Sequence, residues 1–182
     1  MKLLKLNPAV RIGGIRLSHA PAMLRWMRDP AVARNIGLRQ RPSLEKTKDW
    51  IRRVSRDATV RPYAISLAGR HVGNVVLDRI DPYLATARLS VYVGEKDALS
   101  MGVATTAIYL VLKKAFRAEK LHKVWLTVHE HNMPAINLYT RIGFVVEGML
   151  RDDFWLEKRR VNALLMSLLR TEFQQIRVVR RT

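Results

Sequence analysis

The chain has 182 residues, 48% of them hydrophobic, and no cysteine. This length suits a single domain over residues 1–182, and the missing thiols exclude a disulfide scaffold, a thiolate metal site and a cysteine nucleophile. The formal net charge is +18, and a field of that sign attracts polyanions and anionic small molecules.

The positive charge is concentrated in the first third of the chain. Residues 1–61 carry 15 Lys and Arg against 4 Asp and Glu, whereas residues 62–150 have a net charge of +3 and residues 151–182 of +4. A basic surface that only keeps the protein soluble is the plain alternative. No segment approaches the roughly 18 apolar residues that span a bilayer, and the N-terminus lacks a signal-peptide pattern. We therefore expect a cytoplasmic protein that does not bind membranes.

The predicted elements alternate between strands and helices without repeats or low-complexity linkers. Ser18, Ser43 and Asn132 are the expected N-caps, and Gly143 is the expected helix end. In chain order we predict strand 10–17, helix 19–28, helix 44–54, the hairpin strands 63–67 and 71–80, strand 85–93, helix 103–116, strand 124–128, a helix from Asn132 to Gly143, and strands 144–150 and 161–169. This order predicts an α/β (α+β) architecture, a mixed sheet of about seven strands flanked by about four helices.

Two segments carry the chemical signal. At residues 93–106 a strand runs into a loop of small residues and then into a helix, whose N-terminal amides form an anion site. Gly102 and Ala104 would let a pyrophosphate approach the backbone. In the second segment, residues 132–144, Asn132 and Tyr139 are two helical turns apart and project from nearly the same face. Each segment alone is also compatible with an ordinary helix entry or a surface helix.

Together and in this order, the segments resemble the GCN5-related N-acetyltransferase (GNAT) superfamily and its acyl-CoA N-acyltransferase fold. The closer likeness is to ribosomal-protein N-terminal acetyltransferases and amino-sugar-nucleotide N-acetyltransferases. The resemblance covers almost the whole chain and rests on residues 24–32 (LRWMRDPAV), 43–51 (SLEKTKDWI), 102–107 (GVATTA), 121–124 (LHKV), 132–144, 147–151 (EGMLR) and 166–173 (MSLLRTEF).

The resemblance implies a cosubstrate, acetyl-CoA, and a site for it, without a metal. Strands 85–93 and 124–128 should separate, with the pantetheine arm between them bonded to the backbone near Tyr92 and Val93. Asn132 and Asn137 should face the cofactor arm, and Tyr139 should lie beside the thioester sulfur as the catalytic acid. The pyrophosphate should lie on the amides of Leu99, Ser100, Met101, Gly102, Val103, Ala104 and Thr105.

Two positions depart from the family pattern. The phosphate loop usually begins with Arg or Gln, but Leu99 occupies that position. CoA affinity could therefore be lower, or another side chain could replace the missing cation. A glutamate that activates the amine in some relatives corresponds to Thr127, which leaves the general base unidentified. The candidates are His129, Glu130 and His131. His129 and His131 would share a face of an extended strand, but two ligands do not make a metal site. We expect His122 to be packed, and His19 and His71 to be surface groups.

The expected activity is acetyl transfer from acetyl-CoA to a primary amine by direct attack. The predicted helices 19–28 and 44–54 would flank the acceptor and belong to the basic third. An anionic small-molecule or peptide acceptor is therefore expected, such as an amino-sugar nucleotide or a protein terminus presented near the ribosome. A non-catalytic module that binds RNA or ribosomes through its basic surface is the alternative. The sequence fits a monomer or a homodimer.

Overall fold

A computed structural model describes residues 2–38, 40–156 and 158–180. Its strands are β1 (Leu3–Leu6), β2 (Val10–Gly14), β3 (Arg61–Leu67), β4 (Arg70–Asp81), β5 (Thr86–Val93), β6 (Lys123–His129), β7 (Val145–Leu156), β8 (Arg159–Leu169) and β9 (Arg177–Arg180). They form a seven-stranded mixed sheet in the order β2-β3-β4-β5-β6-β8-β7, and a separate parallel pair, β1 with β9. The predicted mixed sheet of seven strands is confirmed.

Six α-helices lie in the described residues, two more than the sequence predicted. The additional ones are short: α2 starts at Pro30, and α6 follows β8 directly. The helices are α1 (Ala20–Met27), α2 (Pro30–Asn35), α3 (Leu44–Val54), α4 (Val103–Arg117), α5 (Met133–Ile142) and α6 (Arg170–Gln174).

Local sequence signals explain several boundaries. Ser43 accepts from the Lys46 amide and begins α3, while Asn132 accepts from the Ala135 amide and begins α5. Gly143, with φ of 126°, ends α5 as predicted. The β3–β4 hairpin turns on Ala68 and Gly69, both with positive φ, the conformation that two-residue hairpin loops favour.

The expected cap at Ser18 is wrong. A short 3₁₀ turn, Leu17–His19, precedes α1, and the amide of Arg16 donates to Nδ1 of His19 at 3.0 Å. The imidazole bonds the amide that precedes the turn, whereas the Ser18 hydroxyl was expected to accept from an amide inside the helix. Asp29 lies just after α1, and its carboxylate accepts from the Ala31 amide and caps α2.

The main core lies between the sheet and helices α4 and α5. It contains Ile108, Leu112, Leu126 and Leu168, all almost fully buried. A second, smaller cluster joins α1 and α3, around Met23, Trp26 and Ile51. This second cluster holds α1 and α3 as a cover above β4 and β5.

Candidate active site

The central sheet opens between β5 and β6. The two parallel strands pair only over Thr86–Arg88 and Lys123–Trp125. Beyond this point β5 continues along β4 as far as Val93, and β6 continues along β8 as far as His129. The predicted separation of the strands is therefore present, and on the edge of β5 that faces β6 the backbone groups beyond Arg88 border a cleft instead of a paired strand.

A cavity of about 1190 Å³ extends from this cleft to the N-terminus of α4; we call it the loop cavity. Its walls are the ends of β5 and β6, the turn before α4, and helix α5. Ten of the eleven residues predicted to bind the cosubstrate line it: Tyr92, Val93, Leu99, Ser100, Gly102, Val103, Ala104, Thr105, Asn132 and Asn137.

The exception is Met101. It is absent from the lining of the loop cavity, its side chain is exposed, and its carbonyl accepts from the side-chain amide of Asn7 at 3.0 Å. The chain turns sharply here, since Ser100 and Gly102 both have positive φ. This turn places Met101 outside the loop cavity while its neighbours face inward.

The N-terminus of α4 presents backbone amides to the loop cavity. Gly102 is the N-cap in a left-handed conformation, φ 74°, which glycine adopts without steric cost. Lys5 of β1 and Arg141 of α5 line the same cavity. Both are candidates for the cation that replaces the usual Arg or Gln at position 99. Lys5 was missed because its position depends on the distant pairing of β1 with β9.

Asn132 and Tyr139 both line the loop cavity, as their two-turn spacing predicted. The Asn132 side-chain oxygen is engaged in capping α5. Tyr139 is 7% exposed, and burial raises the pKa of its phenol to about 12. The phenol therefore holds its proton at neutral pH and can serve as a proton donor.

A second cavity of about 670 Å³ lies on the other side of β5, under α1 and α3; we call it the helix cavity. Met27 of α1 and Trp50 of α3 contribute to its cover, and β4 and β5 form its floor. These are the two helices predicted to flank the acceptor. The two cavities share five lining residues, which we call the junction: Val91, Tyr92, Thr127, Tyr139 and Phe154.

The helix cavity is basic. Among the described residues that line it, Arg41, Lys46, Arg53 and Arg88 are cationic and Asp78 is acidic. Arg88 binds both oxygens of Asp78, at 2.8 and 2.7 Å, so these two charges neutralise each other. Three cations then remain without an acidic counterpart in the described lining.

The arginines of α1 and α3 do not all face the helix cavity. Arg53 lines it, but Arg52 pairs with Asp49 at 2.6 Å on the exposed side of α3. Arg25 pairs with Glu95. The basic character of residues 1–61 is therefore only partly directed at this cavity.

Of the three candidate bases, His129 is the one in the site. It is 7% exposed, lines the loop cavity, and its two ring nitrogens have no hydrogen-bond partner among the described residues. Burial, and then the nearby His131, lower its pKa. Glu130 bonds the backbone and side chain of Asn162, which gives it a structural role.

Three expectations about histidines are wrong. His131 does not share a strand face with His129, because β6 ends at His129. His122 is exposed rather than packed. His19 and His71 are not simple surface groups, since their rings stack at 4.3 Å. Within the described ranges, no group of three or more His, Cys, Asp or Glu side chains could hold a metal ion.

Comparison with known proteins agrees with this geometry. The family model for the acetyltransferase (GNAT) domain matches residues 10–145. The chain therefore belongs to the GNAT acetyltransferase family. This confirms the predicted family and its fold.

Named relatives share parts of the chain. Spermidine N(1)-acetyltransferase of Escherichia coli is 27% identical over 117 residues, 64% of this chain and 62% of the relative. The solved spermidine N-acetyltransferase of Vibrio cholerae, in complex with CoA and spermine, is 20% identical and covers 93% of this chain and 100% of its own, with a TM-score of 0.87. RimJ of Mycobacterium smegmatis, in complex with CoA-disulfide, is 22% identical and covers 93% and 87%, with a TM-score of 0.83.

These relatives refine the resemblance seen in the sequence. Curated relatives from Escherichia coli and Vibrio cholerae are named as spermidine N(1)-acetyltransferases, so the expected likeness to ribosomal-protein and amino-sugar-nucleotide enzymes is not specifically supported. None of these relatives supports the alternative of a non-catalytic RNA-binding module. In the described part of the chain, no helix is long and apolar enough to cross a membrane.

Proposed function

We propose that this protein, as one domain over residues 1–182, transfers the acetyl group of acetyl-CoA to a primary amine. The observation that carries the proposal is the junction of two cavities at Tyr139. The loop cavity would hold the cosubstrate, and the helix cavity would hold the acceptor. Amine and thioester would meet across Tyr139 and Thr127, and holding two reactants in line supplies much of the acceleration in such a transfer.

The shape and charge of the loop cavity fit acetyl-CoA. The amides from Leu99 to Thr105 surround the start of α4, where an anion is favoured by the helix dipole. Lys5 and Arg141 add positive charge along the same wall. The unpaired edge of β5 near Tyr92 and Val93 offers backbone groups to an extended amide-bearing arm, as a strand edge does to an added strand.

The chemistry requires few side chains. A neutral amine attacks the thioester carbonyl carbon, a C–N bond forms, and the carbonyl π pair moves to oxygen. The pair on oxygen then re-forms the carbonyl as the C–S bond breaks, and the leaving thiolate takes the Tyr139 proton. The amine loses its proton to water in the helix cavity, and Tyr139 regains one from solvent. Asp78 faces this cavity but is engaged by Arg88, so the pairing makes it a poor general base.

The acceptor that we favour carries negative charge. Arg41, Lys46 and Arg53 line the helix cavity without an acidic counterpart in its described lining, and they would attract a phosphate or carboxylate attached to the amine. A polyamine would meet like charges there, which disfavours its entry. The two candidate classes of acceptor are amino-sugar nucleotides and N-terminal peptides.

Spermidine is the second candidate, since the curated relatives from Escherichia coli and Vibrio cholerae are named for it. A competition experiment distinguishes the two candidates. The protein is given acetyl-CoA and equal concentrations of a nucleotide-linked amino sugar, an N-terminal ribosomal-protein peptide, spermidine and an aminoglycoside, and mass spectrometry measures which amines become acetylated. We expect an anionic acceptor to dominate and its kcat/KM to fall with salt. Lys46→Met and Arg53→Met should flatten that dependence, and Arg52→Met should not. Preference for spermidine would overturn the anionic assignment.

A further inference from the structure

The junction contains a second phenol besides that of Tyr139. Tyr92 of β5 lines both cavities, whereas the family resemblance implied a role only for the backbone near it. Of the five junction residues, three carry hydroxyls: Tyr92, Thr127 and Tyr139. Tyr92 differs from the other two because a chain of hydrogen bonds fixes its hydroxyl.

The chain of hydrogen bonds begins at Asn74, which is paired with Tyr92 across β4 and β5. The side-chain nitrogen of Asn74 donates to the Tyr92 hydroxyl oxygen at 2.7 Å, and the side-chain oxygen of Asn74 lies 3.0 Å from Nε2 of His71. An amide oxygen only accepts, so Nε2 must carry the hydrogen. Asn74 is 1% exposed, which leaves its amide little freedom to rotate.

The direction of this chain determines where the Tyr92 proton goes. The hydroxyl oxygen of Tyr92 accepts a hydrogen bond from Asn74. The hydroxyl hydrogen of Tyr92 is not used in that bond and is available to a group at the junction of the two cavities. Burial raises the pKa of Tyr92 to about 12, so the hydroxyl stays protonated at neutral pH. Trp26 packs edge-on against the ring, with centroids 6.0 Å apart, and helps to hold its orientation.

We propose that Tyr92 is a second catalytic residue, whose hydroxyl donates a hydrogen bond to the acetyl carbonyl oxygen as it becomes an oxyanion, and that Asn74 is its positioning residue. This inference rests on the proposed acetyl transfer. Tyr139 then serves the sulfur, and Tyr92 serves the oxygen. A donor that is already oriented toward developing charge requires no reorganisation during the reaction, which is the source of its catalytic effect.

Three variants test the inference by steady-state kinetics with saturating acetyl-CoA. Tyr92→Phe should lower kcat by roughly 10²-fold and leave the affinity for CoA, measured by calorimetry, within about twofold. Asn74→Asp replaces the amide donor by a carboxylate, which accepts a hydrogen bond from the Tyr92 hydroxyl. The Tyr92 hydrogen then points to residue 74 and is no longer available at the junction. We expect a similar loss of kcat, and little further loss when the two changes are combined. Tyr109→Phe removes a phenol that lines neither cavity and should behave like the wild type.

The outcomes separate this inference from the function on which it rests. An active wild type, together with a Tyr92→Phe enzyme that keeps most of its kcat, would overturn the inference and leave the acetyl transfer intact. A change confined to the KM for the acceptor would also overturn it, because Tyr92 would then only bind the amine. A wild type that acetylates none of the amines would overturn the proposed function itself. Thermal unfolding of each variant establishes that it is folded.

Discussion

Arg88 of β5 and Trp125 of β6 form the last of three residue pairs between these two parallel strands. Beyond them the strands separate, and the loop cavity and the helix cavity meet in the space that opens. Tyr139 reaches this space from α5, and Tyr92 reaches it from β5. One break in strand pairing therefore gives the proposed site its cosubstrate cleft and its passage to the acceptor.

Tyr139→Phe should lower kcat by about 10²-fold or more, because the leaving thiolate loses its proton donor. Affinity for acetyl-CoA should change little, since the phenol acts mainly on the sulfur. Steady-state kinetics at saturating acceptor, with calorimetric titration of CoA, measures both quantities. Wild-type turnover in this variant would remove Tyr139 from the mechanism.

Gly102→Glu should abolish CoA binding. The change places bulk and negative charge at the N-terminus of α4, where the pyrophosphate would approach, and it forces a side chain into a left-handed conformation. Gly102→Asn is the matched comparison, because asparagine tolerates that conformation and adds no charge, so weaker binding should remain measurable. An unchanged dissociation constant in a folded Gly102→Glu protein would show that the cosubstrate lies elsewhere.

Lys5→Met should weaken CoA binding by about tenfold, which corresponds to the loss of one charge-assisted hydrogen bond. The weakening should shrink as salt is added, because salt screens the exposed part of the attraction. Lys113→Met, at an exposed position of α4 outside both cavities, serves as the control. Equal affinities for the two variants would show that Lys5 does not take over the function of the usual loop cation.

Acid should destabilise the protein through its buried histidines. Burial lowers the pKa of His129 in the folded state from about 6.5 in the unfolded chain. Below pH 6.5 the unfolded chain therefore binds more protons, and stability falls as pH falls. His71 and His19 are shifted in the same direction.

The midpoint of thermal unfolding should therefore fall by about 2–4 °C per pH unit between pH 6.5 and 5.5. His129→Phe should flatten this dependence, whereas His122→Gln, at an exposed position, should retain it. A slope that is the same in His129→Phe and in the wild type would show that His129 does not contribute.

The sequence predicted what short segments determine. The caps at Ser43 and Asn132, the turn at Ala68 and Gly69, and the residues around the start of α4 each depend on neighbours in the chain. Residues that reach the site from distant elements could not be predicted, because their positions depend on pairing between distant segments. Lys5 depends on the pairing of β1 with β9, and Phe154 depends on a strand, β7, that runs six residues past its predicted end because it pairs with β8.

The hydrogen-bonded chain from His71 to Tyr92 could not be predicted for the same reason. Asn74 and Tyr92 are 18 residues apart, and their contact follows from the register of β4 and β5. The alternating pattern of the strands indicates which residues share a face, but it does not fix which residue lies opposite which. At Met101 the sequence located the loop correctly but did not predict that this residue faces away from the loop cavity.

The most direct test of the proposed function is the release of free CoA thiol from acetyl-CoA, measured with and without a panel of amines. We expect little release from acetyl-CoA alone and rapid release when a suitable amine is added, with one acetylated product formed for each thiol. Tight binding of CoA without thiol release for any amine, in a protein shown to be folded, would contradict acetyl transfer and would favour a binding module built on the same fold.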